Sequence, residues 1–475
     1  MPLDVVACLM ILLGVSCSGA ETSDLKPAQE AETPTQPNIV FILTDDLDFA
    51  LAQKMPNLRS LLIEEGVTFE NAFASQSLCC PSRATILTGQ YAHNHGIKDN
   101  TPPDGGFQKF RDEGLEEDTI AVRLQQEGGY RTAYFGKYLN GYPGEEDPAY
   151  VPPGWDEWHG KLLETLYYDY GINHNGEVVS YGSEAKDYFT DVLSHQATGY
   201  VRNAMPDSRP FFMYLAPEAP HGLATPAERH KNAFADEEAP RPPSFDEEDV
   251  SDKPSWIRKS ERITEEEASG IDTYHRKRLR SMLAVDEMVA SLIEELEATG
   301  ELDNTYIFFT SDNGWFEGQH RIRKEKDRSY EESAHVPLFI RGPGVLAGAQ
   351  VKDLVLNTDL APTFAELAGL REFPADGRSL APLLKDKDSA WRSAVLLEGF
   401  VGNRFRAYGA IRTEIHKYVQ YDNGEEELYD LQNDPYELES LHESANPSLV
   451  EDLKARLEVL RNCTGDGCRD AEDSS

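Results

Sequence analysis

Positions 38–44, Asn-Ile-Val-Phe-Ile-Leu-Thr, are apolar throughout except at their ends. So short a continuous run predicts a strand buried on both faces, as in a parallel sheet. The same texture returns at 130–135, 210–215, 305–310 and 335–341. Between these runs the pattern changes to that of amphipathic helices. Residues 55–65 close at Gly66, residues 118–127 stop at Gly128-Gly129, and 184–204, 274–298 and 357–368 follow. The segment 274–298 carries Leu279, Met282, Leu283, Val289, Leu292 and Ile293 on one face. Alternating strands and helices predict an α/β architecture. Residues 225–267 are acidic, proline-containing and irregular, which predicts an excursion over the surface.

The texture shifts after about residue 375. Short strand-like pieces at 394–398, 408–412 and 416–421 lead through the turn Asp422-Asn423-Gly424 to 428–431, and 447–460 reads as a closing helix. At the other end, residues 5–15 are apolar but too few to span a bilayer, and resemble the core of an export signal despite Asp4. Ser18-Gly19-Ala20 offers ordinary cleavage; residues 13–17 loosely resemble a lipobox, with Gly14 departing from it, and would lipidate Cys17. The chain is thus expected to comprise an export signal (1–20), a disordered tether (21–36), a main domain (37–375), a smaller antiparallel subdomain (376–462) and a tail (463–475).

Charge narrows the partners. Forty-five Lys+Arg against 84 Asp+Glu give a net charge of −39 over 475 residues, which argues against nucleic acid. Of six cysteines, Cys8 and Cys17 fall in the apolar leader, while Cys463 and Cys468 are close enough for a small disulfide in an oxidising compartment.

Chemistry collects where strands are predicted to end. The first run delivers Asp45-Asp46 and the fourth Ser311-Asp312-Asn313-Gly314, oxygen-rich pairs suited to a metal. Others deliver Gly136-Lys137 and Ala219-Pro220-His221, the histidine a candidate acid–base group. His320 to Arg328 is the densest basic cluster, read as an anion funnel containing His320, Arg321 and Lys326. Trp155 and Trp158 stand beside polar residues and offer faces for a sugar, although such aromatics often belong to the core. Finally, Cys79-Cys80-Pro81-Ser82-Arg83 runs on to Leu87-Thr88-Gly89; Pro81 suits a first helical turn, placing Cys79 and Cys80 just before a helix N-terminus.

That last string resembles the C-x-P-S-R signature of the type I sulfatases. The Cys-Cys form, His93-Asn94-His95, 135–140 (Phe-Gly-Lys-Tyr-Leu-Asn), 152–155 (Pro-Pro-Gly-Trp) and 310–314 (Thr-Ser-Asp-Asn-Gly) are similar to the glucosamine-6-sulfatases and the heparan-sulfate endosulfatases. The resemblance implies an alkaline-phosphatase-like mixed sheet sandwiched by helices, with a smaller C-terminal antiparallel sheet. It implies that a formylglycine-generating enzyme oxidises Cys79 to formylglycine, whose hydrate attacks sulfur. It further implies Ca²⁺ or Mg²⁺ held by Asp45, Asp46, Asp312, Asn313 and residue 79, with Arg83 and Lys137 on the formylglycine oxygens and His221 and Lys326 on the sulfate and leaving oxygen. Many sulfatases carry a histidine where this chain has Leu139, and His93 or His95 is the expected substitute.

The implied substrate is a sulfated carbohydrate, in particular 6-O-sulfated N-acetylglucosamine, met outside the cytoplasm. Besides an arylsulfatase of other specificity, two other readings remain open at this point. One is a phosphodiester or phosphonate hydrolase of the same superfamily; the other is a catalytically silent binder of sulfated glycans.

Overall fold

The computed structural model describes residues 36–144, 147–162, 167–204, 207–386, 389–400 and 406–474. The predicted export signal with Cys8 and Cys17, and the tether up to residue 35, lie outside the described residues. Ten strands form one sheet: β1 (Asn38–Thr44), β2 (Val67–Phe73), β3 (Arg131–Gly136), β4 (Glu157–Leu162), β5 (Gly171–His174), β6 (Glu177–Ser180), β7 (Phe211–Ala216), β8 (Thr305–Ser311), β9 (Leu338–Arg341) and β10 (Ala349–Leu356). Their order is β10-β2-β9-β8-β1-β7-β3-β4-β5-β6. The central five, β8 to β4, run parallel, and β9 and β5 run against them.

The continuous apolar run of β1 is explained by burial on both faces. Ile39, Phe41 and Leu43 enter one core, with residues of helices Cys79–Thr88, Ile120–Gln126 and Leu360–Leu367. Val40 and Ile42 enter the other, with residues of helices Phe189–Ala204 and Glu265–Ala298. This is the mixed sheet between helical layers that the pattern predicts. A separate antiparallel sheet, β11 (Ala394–Gly399), β12 (Tyr408–Thr413), β13 (His416–Tyr421) and β14 (Glu426–Asp430), shares a third core with helix Pro447–Arg461. Cys463 and Cys468 are disulfide-bonded just beyond that helix.

Several expected boundaries move. The segment 55–65 is a short α-turn, Pro56–Leu58, continued as the π-helical Arg59–Ile63. The helix expected from 184 starts at Phe189, after a 3₁₀ turn. The long helix starts at Glu265, nine residues before the apolar face predicts, and takes in the end of the supposed excursion. Residues 157–162, outside every run read as a strand, form β4.

Candidate active site

β1 and β8 end side by side, with Thr44 opposite Ser311 in parallel register. Asp45-Asp46 and Asp312-Asn313 therefore leave the sheet at one edge, and all four are buried. Asp46 adopts φ 64°, a left-handed conformation that a short polar side chain tolerates. On the other side of β1, Asp45 forms a bridge with Pro220, which brings in the segment carrying His221.

Helix Cys79–Thr88 points its N-terminus at this edge. Cys79 Sγ donates to Asp45 Oδ1 at 3.5 Å and accepts from Lys326 Nζ at 2.7 Å. Lys326 also donates to Asp46 Oδ1. One turn along the helix, Arg83 Nε donates to Asp312 Oδ2 at 2.8 Å, and its Nη2 reaches Asp45 Oδ2 at 3.3 Å. Lys137 Nζ donates to Asp45 Oδ2 at 2.5 Å. Lys137 follows Gly136, which has φ 120° and so little room that an added Cβ would lie 2.0 Å from the Ala216 carbonyl oxygen. Only glycine fits where β3 approaches β7 this closely.

The charges interlock. Burial by itself raises the Asp45 carboxyl, yet His221, Lys137, Arg83 and Lys326 together hold it well below the usual carboxylate range. Burial and the neighbouring Asp45 push Asp312 up to about 6. Burial, then Asp45, push the Cys79 thiol well up, and burial lowers His221. Oxygens of Asp45, Asp46 and Asp312 and the Cys79 sulfur all lie within 4.8 Å of one another. Asp46 Oδ2 and Asn313 Oδ1 are buried without hydrogen-bond partners. Orphaned oxygens beside clustered carboxylates fit a hard divalent cation, which takes oxygen donors.

The cluster opens onto a cavity of about 560 Å³. Asp46, Leu78, His221 and Lys326 line it, and its further lining includes Lys98, Asn100, Tyr274, Trp315, Lys324, Asp327 and Phe400. Of these, Lys324 and Asp327 fall in the basic run 320–328 that the sequence singles out; Lys98, Asn100, Tyr274, Trp315 and Phe400 carry no such signal.

Four expected residues lie elsewhere. Trp158 is 0% and Trp155 7% exposed: Trp158 stacks on Tyr134 with centroids 4.8 Å apart, and Trp155 on Phe212 at 6.0 Å. They are core residues with no face for a sugar. His320 is buried, held by Glu247 at 2.7 Å and stacked on Tyr330. The Arg321 guanidinium donates to the carbonyls of Glu247, Glu248 and Ser260. The basic run is thus largely spent on internal contacts, with Arg323 on Glu267 and Arg328 near Glu325. Of the run's basic residues, Lys324 and Lys326 alone line the cavity.

Neither histidine substitutes for the one absent at Leu139, itself buried in the core. His95 accepts from the Ile97 N–H at 3.0 Å and meets Thr85 Oγ1, behind the catalytic helix. His93 is tied to Glu398 at 2.8 Å.

Set beside known proteins, the site gains a family. The profile described as Sulfatase matches residues 37–370, and that described as N-sulphoglucosamine sulphohydrolase, C-terminal, matches 318–463. The chain belongs to the sulfatase family. As a member it is a sulfuric ester hydrolase. This sulfatase is 35% identical over 476 residues to N-acetylglucosamine-6-sulfatase of Homo sapiens, covering 91% of this chain and 86% of that protein. It is 36% identical to the extracellular sulfatase SULF-1 homolog of Drosophila melanogaster over 76% of this chain and 33% of that protein. The solved complex of BT4656 with its substrate D-glucosamine-2-N,6-O-disulfate superposes with a TM-score of 0.75 at 27% identity, covering 92% of this chain and 99% of that one. Among the described residues no helix is long and apolar enough to cross a membrane.

Proposed function

We propose that this sulfatase is exported and hydrolyses 6-O-sulfate esters of N-acetylglucosamine or related glycosaminoglycan units, after a formylglycine-generating enzyme has oxidised Cys79. In this reading residues 37–375 are the catalytic domain and 376–462 a C-terminal subdomain. The observation that carries it is the meeting of Cys79 with three buried carboxylates, their ligand atoms within 4.8 Å. The relatives named above support the substrate, and the extracellular one supports export.

Formylglycine, once hydrated, supplies a hydroxyl nucleophile for sulfur. Asp45, Asp46, Asp312, Asn313 and residue 79 would hold Ca²⁺ or Mg²⁺, which supplies Lewis-acid polarisation of a sulfate oxygen. The chain's own groups do the positioning. Arg83 fixes Asp45 and Asp312 through two different nitrogens, so the two carboxylates keep one separation. Lys137 holds Asp45 from a third direction. Lys326, between Asp46 and residue 79, is placed to neutralise charge on an oxygen at position 79. His221 Nε2 stands 3.8 Å from Asp46 Oδ2, and its Nδ1 has no partner. At the cavity wall it is placed to give a proton to the departing sugar oxygen.

The test pairs mass spectrometry of the peptide holding residue 79 with release of sulfate from N-acetylglucosamine 6-sulfate. Residue 79 should carry the aldehyde; Cys79→Ala should lose turnover by at least ~10³-fold, while Cys80→Ala stays within about tenfold. Full activity in Cys79→Ala overturns the mechanism. A preference for 2-O- or 4-O-sulfated sugars overturns the substrate.

A further inference from the structure

We propose that Trp315 and Asp327 are specificity-determining residues that read the hydroxyls of the sugar carrying the scissile sulfate; this rests on the substrate class proposed above. Both line the 560 Å³ cavity together with Asp46 and His221. Neither belongs to the cluster around Cys79. Trp315 follows the candidate ligand Asn313 by two residues, and Asp327 follows Lys326 directly. The Asp327 N–H donates to the Ser77 carbonyl at 2.9 Å, which ties it to the segment entering the catalytic helix.

Their polar atoms are unspent. Trp315 Nε1 and Asp327 Oδ1 are both buried without a hydrogen-bond partner, and Asp327 as a whole is 6% exposed. Leaving such a group unpaired costs about 1–3 kcal/mol. Both residues line the reaction cavity, so their orphaned atoms are evidence of what that region is shaped to receive. An indole N–H can only donate; the Asp327 carboxyl, which burial pushes up to about 7, accepts from a hydroxyl in its ionised form. A ligand that satisfies both must accept at one point and donate at another, as the hydroxyls of a sugar ring do. Beside them, the Tyr274 ring lies 6.0 Å from Trp315 at 48°, with Lys324 4.6 Å above it. The two rings give an apolar wall for the C–H face of a sugar. A simple aryl sulfate presents a ring with no hydroxyl and leaves Asp327 unpaired. Sites built to bond a substrate hydroxyl discriminate strongly against analogues that lack it.

The experiment measures kcat/KM of the full chain for N-acetylglucosamine 6-sulfate and for 4-nitrophenyl sulfate, in wild type, Trp315→Phe, Asp327→Leu and Asp327→Asn. Melting temperatures check the fold of each. The expected result is a 10- to 100-fold loss on the sugar, exceeding the loss on the aryl ester by at least about tenfold. Asp327→Asn, the milder change, should fall between wild type and Asp327→Leu. Equal losses on both esters, or no loss on the sugar, overturn the assignment and leave the proposed function standing. Wild type that turns over the aryl ester but no sugar sulfate overturns the substrate class itself, and this assignment with it.

Discussion

Arg83 is 1% exposed and charged, a state tolerated because its donors meet Asp312, Asp45 and the Lys137 carbonyl. Glu116 shows the opposite case. It is 3% exposed, its Oε2 accepts from Tyr150 Oη at 3.0 Å, Arg111 stays 3.7 Å away, and its Oε1 has no hydrogen-bond partner. Burial, only partly offset by Tyr150 and Arg111, pushes its pKa up to about 7. The sign follows from proton binding: between 4.5 and about 7 the unfolded chain ionises this carboxyl and the folded chain does not. Stability from this group is complete below pH 4.5 and is lost as pH rises through 7. Glu116→Gln stays neutral and keeps the Tyr150 bond. It should gain roughly 1–3 kcal/mol over wild type at pH 8 and little at pH 4.5. Urea midpoints at the two pH values decide it; parallel shifts would show that Glu116 ionises freely.

At the scale of elements, the strands and the ligands at their ends were legible because burial on both faces writes an unbroken apolar run. β1, β7 and β8 read this way, and Asp45, Asp46, Asp312, Asn313 and His221 come with them. β2 and β10 did not: Val67–Phe73 and Ala349–Leu356 mix charged and apolar positions, since parts of each are less buried. Trp155 and Trp158 misled for a related reason. A tryptophan beside acidic residues has the same local sequence whether it packs on Phe212 or faces a ligand. The start of helix Glu265–Ala298 was written plainly but not in hydrophobicity. Thr264 accepts from the Glu267 N–H at 3.2 Å, and the Glu267 carboxylate accepts from the Thr264 N–H at 2.9 Å. This capping box fits T-x-x-E, but the turns after it are polar and exposed, so no apolar period announces them. Thr264→Ala should cost about 1 kcal/mol. Faster hydrogen exchange confined to residues 265–270 would place the loss at this end. Unchanged exchange there would show that the 34-residue helix is held by its packing alone.

The whole molecule carries a charge that no single pair explains. Its −39 spreads 84 acids against 45 basic groups. Many of the basic groups are committed locally, as Arg229 is to Asp191 and Glu287. What remains is long-range repulsion, which the folded state concentrates and unfolding relieves. Salt acts on two terms with opposite signs. It weakens exposed pairs such as Lys54–Glu237 and Arg202–Glu295, each worth about 0–1 kcal/mol. It also shortens the reach of repulsion, from about 30 Å at 0.01 M to about 8 Å at 0.15 M. At low salt nearly every surface acid feels many others across the molecule, whereas each ion pair feels mainly its own partner. Repulsion therefore outweighs pairing, and stability should rise with salt. Raising NaCl from 10 to 300 mM at pH 7.5 should lift the melting temperature by on the order of 5 °C, with divalent cation held constant. Sucrose at matched osmolality controls for exclusion from the surface, which favours compact states without screening charge. A melting temperature that falls with NaCl, or rises no more than it does in sucrose, would mean that local pairing already balances the excess of acids.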